Sequence, residues 1–262
     1  MKVSEIMAAI EQYAPLSLQE GFDNSGIQVG DPDATVKGVL LCTDVREDIV
    51  DEAIERGDNL IISHHPLIFH PLKRIAGGSY IERIVAKAIK NDITIYAAHT
   101  NMDSARGGVN FKIAQKIGLA NIKVLDPQSG CDPDSPTGLG VVGDIAPIQA
   151  HKLLDNVKAI FGTPTIRYSG NLDTIVTTVA LCGGAGTFLI NKAIEAGAQI
   201  YISADFKYHE FMGNETRIIL ADIGHYESEH FTKEIFCDII MKKNPNFAVD
   251  FANKEKNQVK YL

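Results

Sequence analysis

Apolar residues in this chain gather in short continuous runs, and between the runs they recur at helical spacing. Residues 36–45 read as a buried strand. Residues 46–56 place Ile49, Val50, Ala53 and Ile54 on one helical face, and Gly57 ends that helix. Asn59 to Ser63 form a second apolar run that finishes in His64-His65-Pro66. Adjacent residues on an extended strand face opposite ways, so two neighbouring imidazoles share a site only where the backbone turns. Pro66 supports a strand end there, since it cannot continue a central ladder and holds His65 extended. The pattern recurs with a helix over 81–90, a strand over 93–98 ending in His99-Thr100-Asn101-Met102-Asp103, and a helix over 107–117 closed by Gly118. At the start, Ser4 is the expected cap of a helix through Ile6, Ile10 and Tyr13. Residues 20–30 carry three glycines and an Asp-Asn pair, which by themselves predict a structured turn leading into a short strand. Strands alternating with helices predict an α/β fold with largely parallel sheets and ligands beyond the strand C-termini.

Residues 126–137 are rich in proline, glycine, serine and aspartate and are the expected linker between an N-terminal half, 1–125, and a C-terminal half, 138–262. After it come an expected strand over 139–145, a helix over 149–161 and a strand over 165–168. The chain then resembles itself. Val39-Leu40-Leu41-Cys42 corresponds to Val179-Ala180-Leu181-Cys182, an offset of 140 residues (Val39 to Val179). Without a gap, Ala53 to Gly57 meet Ala193 to Gly197, and Ile62-Ser63 meet Ile202-Ser203. That register sets His64 and His65 opposite Ala204 and Asp205. A gapless match of this kind indicates a duplicated half. Two related α/β halves predict a pseudo-two-fold with the functional site between them.

Composition narrows the choice of partner. Apolar content is 45% and charged content 22%, which suits a chain with a real core. The net charge of −8 argues against extended nucleic-acid binding, which needs a basic face. The four cysteines lie far apart and form no Cys-x-x-Cys pair, as expected for a reducing, cytoplasmic setting. No apolar run approaches membrane-spanning length, and the charged N-terminus does not resemble a signal peptide.

Five candidate metal ligands stand just past the strands: His64, His65, Asp103, His225 and Glu229. The last two are spaced i, i+4 at the start of a helix expected over 226–242, which puts them on one face. Taken singly, each has an ordinary structural role open to it. Their shared position at strand ends points to metal, and five ligands exceed what one four-coordinate ion needs, so a dinuclear site is expected. His99, Asp205 and His209 form an outer set, suited to orienting ligands or moving protons. The segment Cys182-Gly183-Gly184-Ala185-Gly186 is either a phosphate-cradling loop or a tight, closely packed turn.

The motifs Phe22-Asp23-Asn24-Ser25-Gly26, Ser63-His64-His65-Pro66, His99 to Asp103, Ser203 to His209 and Gly224 to Glu229 are similar, in that order, to those of the NIF-three-like proteins, also called GTP cyclohydrolase 1 type 2. The resemblance implies two α/β halves, a dinuclear metal centre and a toroidal homohexamer; imidazole and carboxylate ligands suit zinc, iron and manganese alike as the two divalent ions. The resemblance gives His64, His65, Asp103, His225 and Glu229 as metal ligands. It implies a metal-activated water attacking C8 of the guanine of GTP, with release of formate and formation of dihydroneopterin triphosphate; by their placement, His99 or His209 is then the expected proton shuttle. The chain departs from the pattern at Phe22, where tryptophan is usual, and at Ala204-Asp205, where Gly-Asp is usual. It resembles the short form, without a domain inserted between the halves. Two other readings of the same residues stand beside this one: a dinuclear phosphoesterase, and a non-catalytic metal-binding or regulatory scaffold.

Overall fold

Eleven strands make two sheets in the computed structural model, which describes residues 1–262. In chain order they are β1 (Gly26–Val29), β2 (Val39–Cys42), β3 (Leu60–Ser63), β4 (Thr94–Ala97), β5 (Ala120–Pro127), β6 (Gly138–Gln149), β7 (Arg167–Ser169), β8 (Ile175–Ala185), β9 (Ile200–Ala204), β10 (Ile219–Asp222) and β11 (Val249–Phe251). The helices are α1 (Val3–Tyr13), α2 (Glu47–Arg56), α3 (Tyr80–Lys90), α4 (Thr100–Ser104), α5 (Val109–Ile117), α6 (Ala150–Phe161), α7 (Ile190–Glu195), α8 (Tyr208–Phe211), α9 (His225–Glu229) and α10 (Thr232–Lys243). The chain divides into a first unit of Met1–Ala105 with Thr232–Lys256 and a second of Arg106–Phe231 with Asn257–Leu262. These limits differ from halves split at 126–137: α5 and β5 belong to the second unit, and the C-terminal helix α10 and β11 return to the first.

The first unit's sheet runs β1-β4-β3-β2-β11, with every pairing parallel except β1 against β4. Every residue of β2, β3 and β4 is buried. A parallel strand covered on both faces needs an unbroken apolar run, which is why no period-two alternation marks these strands in the sequence. Ile49, Val50 and Ala53 of α2 and Ile84, Val85 and Ala88 of α3 pack in one core cluster with Leu40, Ile61 and Ile95 of the sheet. Gly57 ends α2 in the left-handed conformation (φ 78°), as expected. Ser4 is not the cap of α1: that position belongs to Lys2, whose backbone N–H donates to the Glu5 carboxylate at 2.6 Å.

The second sheet runs β5-β6-β8-β9-β10-β7 and is mixed. The pairs β8–β9 and β9–β10 are parallel, while β5–β6, β6–β8 and β10–β7 are antiparallel. The expectation of largely parallel sheets therefore holds for the first unit only. The reason lies in the segment expected to be a linker. Asp126 and Pro127 still belong to β5, and the N–H of Gln128 closes on the carbonyl of Thr137 at 2.8 Å. So short a loop joins antiparallel neighbours, whereas a parallel pair needs a longer crossover. Residues 128–137 are a hairpin loop inside the second unit.

The internal repeat is visible in the topology. Val39 pairs with Leu60 and Leu40 with Ile61, just as Val179 pairs with Ile200 and Ala180 with Tyr201. Each unit thus carries three parallel strands in the same order (β2-β3-β4 and β8-β9-β10), with an antiparallel strand beside the third (β1 and β7). The single helix expected over 226–242 is two helices, interrupted at His230-Phe231. Phe231 is held in the second unit, with its ring 5.4 Å from that of Phe161 and Lys116 above its face, and the chain leaves that unit at the next residue. No helix is long and apolar enough to cross a membrane.

Candidate metal centre

In the first unit three imidazoles converge at the ends of β3 and β4. His64 and His65 follow β3, and His99 follows β4 as the N-cap of α4. The ring centroids of His64 and His65 are 4.9 Å apart, and His99 lies 5.2 and 5.4 Å from them. One ring nitrogen from each falls within 4.8 Å of the other two, close enough to share an ion. His99 was expected in an outer set; the structure brings it in beside His64 and His65. Asp103 stands one helical turn beyond His99, and its carboxylate is 3.7 Å from His64 Nε2.

Each imidazole is fixed through Nδ1. His64 Nδ1 lies 3.0 Å from the carbonyl of Ala98, His65 Nδ1 2.8 Å from Asp44, and His99 Nδ1 2.7 Å from Asp23. An oxygen acceptor there holds the proton on Nδ1 and places the lone pair on Nε2, the arrangement of metal-ligating histidines. The acceptors are themselves braced. The fully buried Asp23 side chain also accepts from the N–H of Asn24 at 2.7 Å, the Ser25 hydroxyl at 3.0 Å, and the Thr100 N–H at 3.0 Å and hydroxyl. Burial by itself would raise its pKa, but the hydrogen bonds from His99 and Thr100 outweigh burial and hold the carboxyl well below the usual range. Asp44 is placed by Glu255, whose carboxylate accepts the N–H groups of Thr43 and Asp44 and pairs with Lys233. Asp23 and Asp44 went unassigned in the sequence, although Asp44 follows β2 just as His65 follows β3.

In the second unit the cluster is smaller and more acidic. His225 and Glu229 share a face of α9, with His225 Nε2 3.1 Å from the Glu229 carboxylate. Asp205, just past β9, accepts from His225 Nδ1 at 2.7 Å and so orients that ring. Asp205 has a left-handed backbone (φ 59°), a conformation aspartate tolerates better than most residues. Asp222, buried at the end of β10, accepts from the N–H groups of Phe206 and Gly224 at 3.1 Å each, and ties together the loops after β9 and β10. His209 joins no such group; it stands exposed on α8, its ring 5.3 Å from that of Tyr208. For His225, burial disfavours the charge, but the Glu229 carboxylate and the hydrogen bond to Asp205 outweigh it and lift the imidazole from 6.5 to about 11. His225 is therefore protonated at neutral pH, and a metal binding at Nε2 would displace that proton.

The glycine-rich segment serves this cluster by packing. The N–H of Gly183 donates to Asn110 and that of Gly184 to Ser228, each at 2.9 Å, so these donors are already engaged and form no phosphate cradle. Gly184 has φ +61°, and a Cβ there would fall 2.1 Å from Glu229 Oε1. Glycine at this position leaves the Glu229 carboxylate and the His225 ring their places against the strand.

Three outcomes follow from this geometry. Asp44→Ala should weaken metal binding by about 10–100-fold without unfolding the protein, as read by chelator competition. Gly184→Ala should displace the Glu229 carboxylate and lower metal content while circular dichroism stays unchanged. The third concerns pH in the metal-free protein. Because the folded-state pKa of His225 is raised, the stability it contributes is present in full below 6.5 and is lost as the pH climbs towards about 11. The thermal midpoint of the chelated protein should fall over that range, and fall less in His225→Gln.

Comparison with known proteins identifies the family. The family model described as Duf34/NIF3 (NGG1p interacting factor 3) matches residues 1–258. A Lactococcus lactis protein named GTP cyclohydrolase 1 type 2 homolog is 37% identical over 267 aligned positions, covering 100% of this chain and 99% of that protein. The Drosophila melanogaster NIF3-like protein 1 is 31% identical, covering 92% of this chain and 82% of its own length. Among solved structures, a Bacillus cereus protein related to NIF3 superposes with a TM-score of 0.91 at 25% identity, covering 100% of this chain and 99% of that one. This chain belongs to the Duf34/NIF3 family.

Proposed function

We propose that this protein is a metal-dependent hydrolase of a nucleotide or a related small heterocycle, with GTP as the first substrate to test. The observation that carries the proposal is the convergence of His64, His65 and His99, each anchored through Nδ1. The name GTP cyclohydrolase 1 type 2 homolog, borne by its relatives, directs the choice of substrate. In this reading His64, His65, Asp103, His225 and Glu229 together hold two divalent ions. Imidazole and carboxylate donors suit zinc, iron and manganese alike. Such ions supply Lewis acidity, which brings the pKa of water towards neutrality.

The protein's own groups take the remaining roles. His99 is better placed than the exposed His209 to accept a proton, because its ring lies among the other imidazoles and the buried Asp23 carboxylate stands behind it. That carboxylate stabilises the charge the imidazole gains, as a carboxylate does behind a general-base histidine. Asp205 orients His225 and is assigned no proton transfer of its own. A toroidal homohexamer and a cytoplasmic location belong to the same proposal.

The experiment is elemental analysis of untagged protein purified without chelators, followed by formate release from GTP. Close to two ions per chain and metal-dependent formate release are expected, with both lost in His64→Ala. Unchanged turnover in a His64→Ala protein devoid of metal would defeat the metal-dependent reading. Bound metal with no turnover of GTP or of phosphoesters would favour the scaffold.

A further inference from the structure

Phe22 is the one side chain of the Phe22-Asp23-Asn24-Ser25-Gly26 motif that the fold does not use. Asp23 holds His99 and Thr100. Asn24 donates its side-chain amide to the carbonyl of Ile68 at 2.6 Å. Ser25 donates to Asp23 and accepts the N–H of His99 at 3.2 Å. Gly26 turns the chain into β1 with φ +113°. Phe22, in contrast, is 67% exposed.

Its ring has one aromatic neighbour of the same kind. Phe69, 37% exposed, lies 6.3 Å from Phe22 with the planes inclined at 54°, and its ring is 6.2 Å from that of His99. The loops that carry the two phenylalanines are fastened together. Besides the bond from Asn24 to Ile68, the Gln28 side chain accepts the N–H of Ile68 at 3.1 Å and donates to the carbonyl of Asn24 at 2.7 Å. The two rings therefore stand on fixed backbone. They leave apolar surface in water at the edge of a polar cluster.

We propose that Phe22 and Phe69 form a stacking site for the planar ring of a heterocyclic substrate, and that they deliver this ring to the imidazole cluster at His99. The inference rests on the hydrolase reading and deepens it, because it assigns the ring-binding half of the substrate site. A planar ring suits the place for two reasons. Two inclined aromatic faces accept a flat partner in stacked or edge-on contact at separations of about 4.5–7 Å. The pair is also continuous with the cluster through the Phe69–His99 contact, so a ring seated there has its edge next to the reacting groups. Stacking of this kind is tolerant of ring identity. The site selects for planarity and leaves the choice among rings to other contacts.

The test is saturation-transfer NMR and titration calorimetry on the metal-loaded protein. Guanosine, adenosine and nicotinamide serve as ring probes, and ribose 5-phosphate and tripolyphosphate as ringless ones. In the F22A/F69A variant, shown folded by circular dichroism, ring probes should bind about tenfold or more weakly, ringless probes should be unchanged, and F22W should bind rings like the parent. Equal binding of ring probes to parent and double variant overturns the proposal. So does an equal loss for both probe classes, or the absence of ring binding to the parent protein. A change of oligomeric state in F22A/F69A with ring binding intact would assign the rings to a contact between copies and would also overturn it. If GTP is not turned over while a ring probe binds through Phe22 and Phe69, the nucleotide reading falls and the stacking site stands.

Discussion

An imidazole can ligate a metal only through a nitrogen that has given up its proton, so a histidine site depends on whatever holds the proton on the other nitrogen. His64, His65 and His99 in the first unit and His225 in the second each meet an acceptor at Nδ1. For His64 the acceptor is supplied by the sheet itself. Ser63 pairs with Ala97 across β3 and β4, and one residue further on His64 Nδ1 meets the carbonyl of Ala98. The parallel register thus sets the tautomer. The other three histidines rely on carboxylates, and each carboxylate needs its own support: a ring of donors around Asp23, the Glu255–Lys233 pair behind Asp44, and a left-handed backbone at Asp205. A buried ion pair such as Glu255–Lys233 adds little net stability, and removing one partner costs about 3–5 kcal/mol. Its evident service here is to fix the loop that carries Asp44.

These dependencies explain what could be read from the sequence. The strands of the first unit were legible because parallel strands buried on both faces must be continuously apolar. His64 and His65 were legible because they end such a run. Asp23 and Asp44 were not, since a carboxylate in a polar loop has the same local sequence whether it caps a turn or orients an imidazole. Glu255 was further out of reach, because its work on Thr43 is done across most of the length of the chain. Two errors of architecture have the same origin. Helical spacing continues through His230-Phe231, and only the anchoring of Phe231 on Phe161 and Lys116 shows that the helix must break. Proline, glycine and aspartate in residues 128–137 suit a linker and a hairpin loop equally; the β5–β6 pairing decides.

The strand order common to the two units carries a different donor set in each. The strands and their register are shared, but the positions of His64 and His65 are held in the second unit by Ala204 and Asp205. There the residue beyond the strand has become the acceptor that orients a histidine supplied from the end of β10. The first unit presents three imidazoles with the Asp103 carboxylate beside them and Asp44 and Asp23 behind two of the rings, and the second presents one imidazole between Glu229 and the orienting Asp205. Imidazoles provide ligation without charge, whereas carboxylates supply the charge that a divalent ion requires. The acidic set carries a difficulty of its own, since Glu229 is almost wholly buried and a buried carboxylate is costly unless it is compensated. The proton on His225 supplies that compensation, held there by Glu229 and Asp205 together. It stabilises the second unit while no cation is bound, and it is also the particle that a cation must displace. Any cation taken up at His225 Nε2 would therefore be tied to pH by the same contact that keeps Glu229 in place.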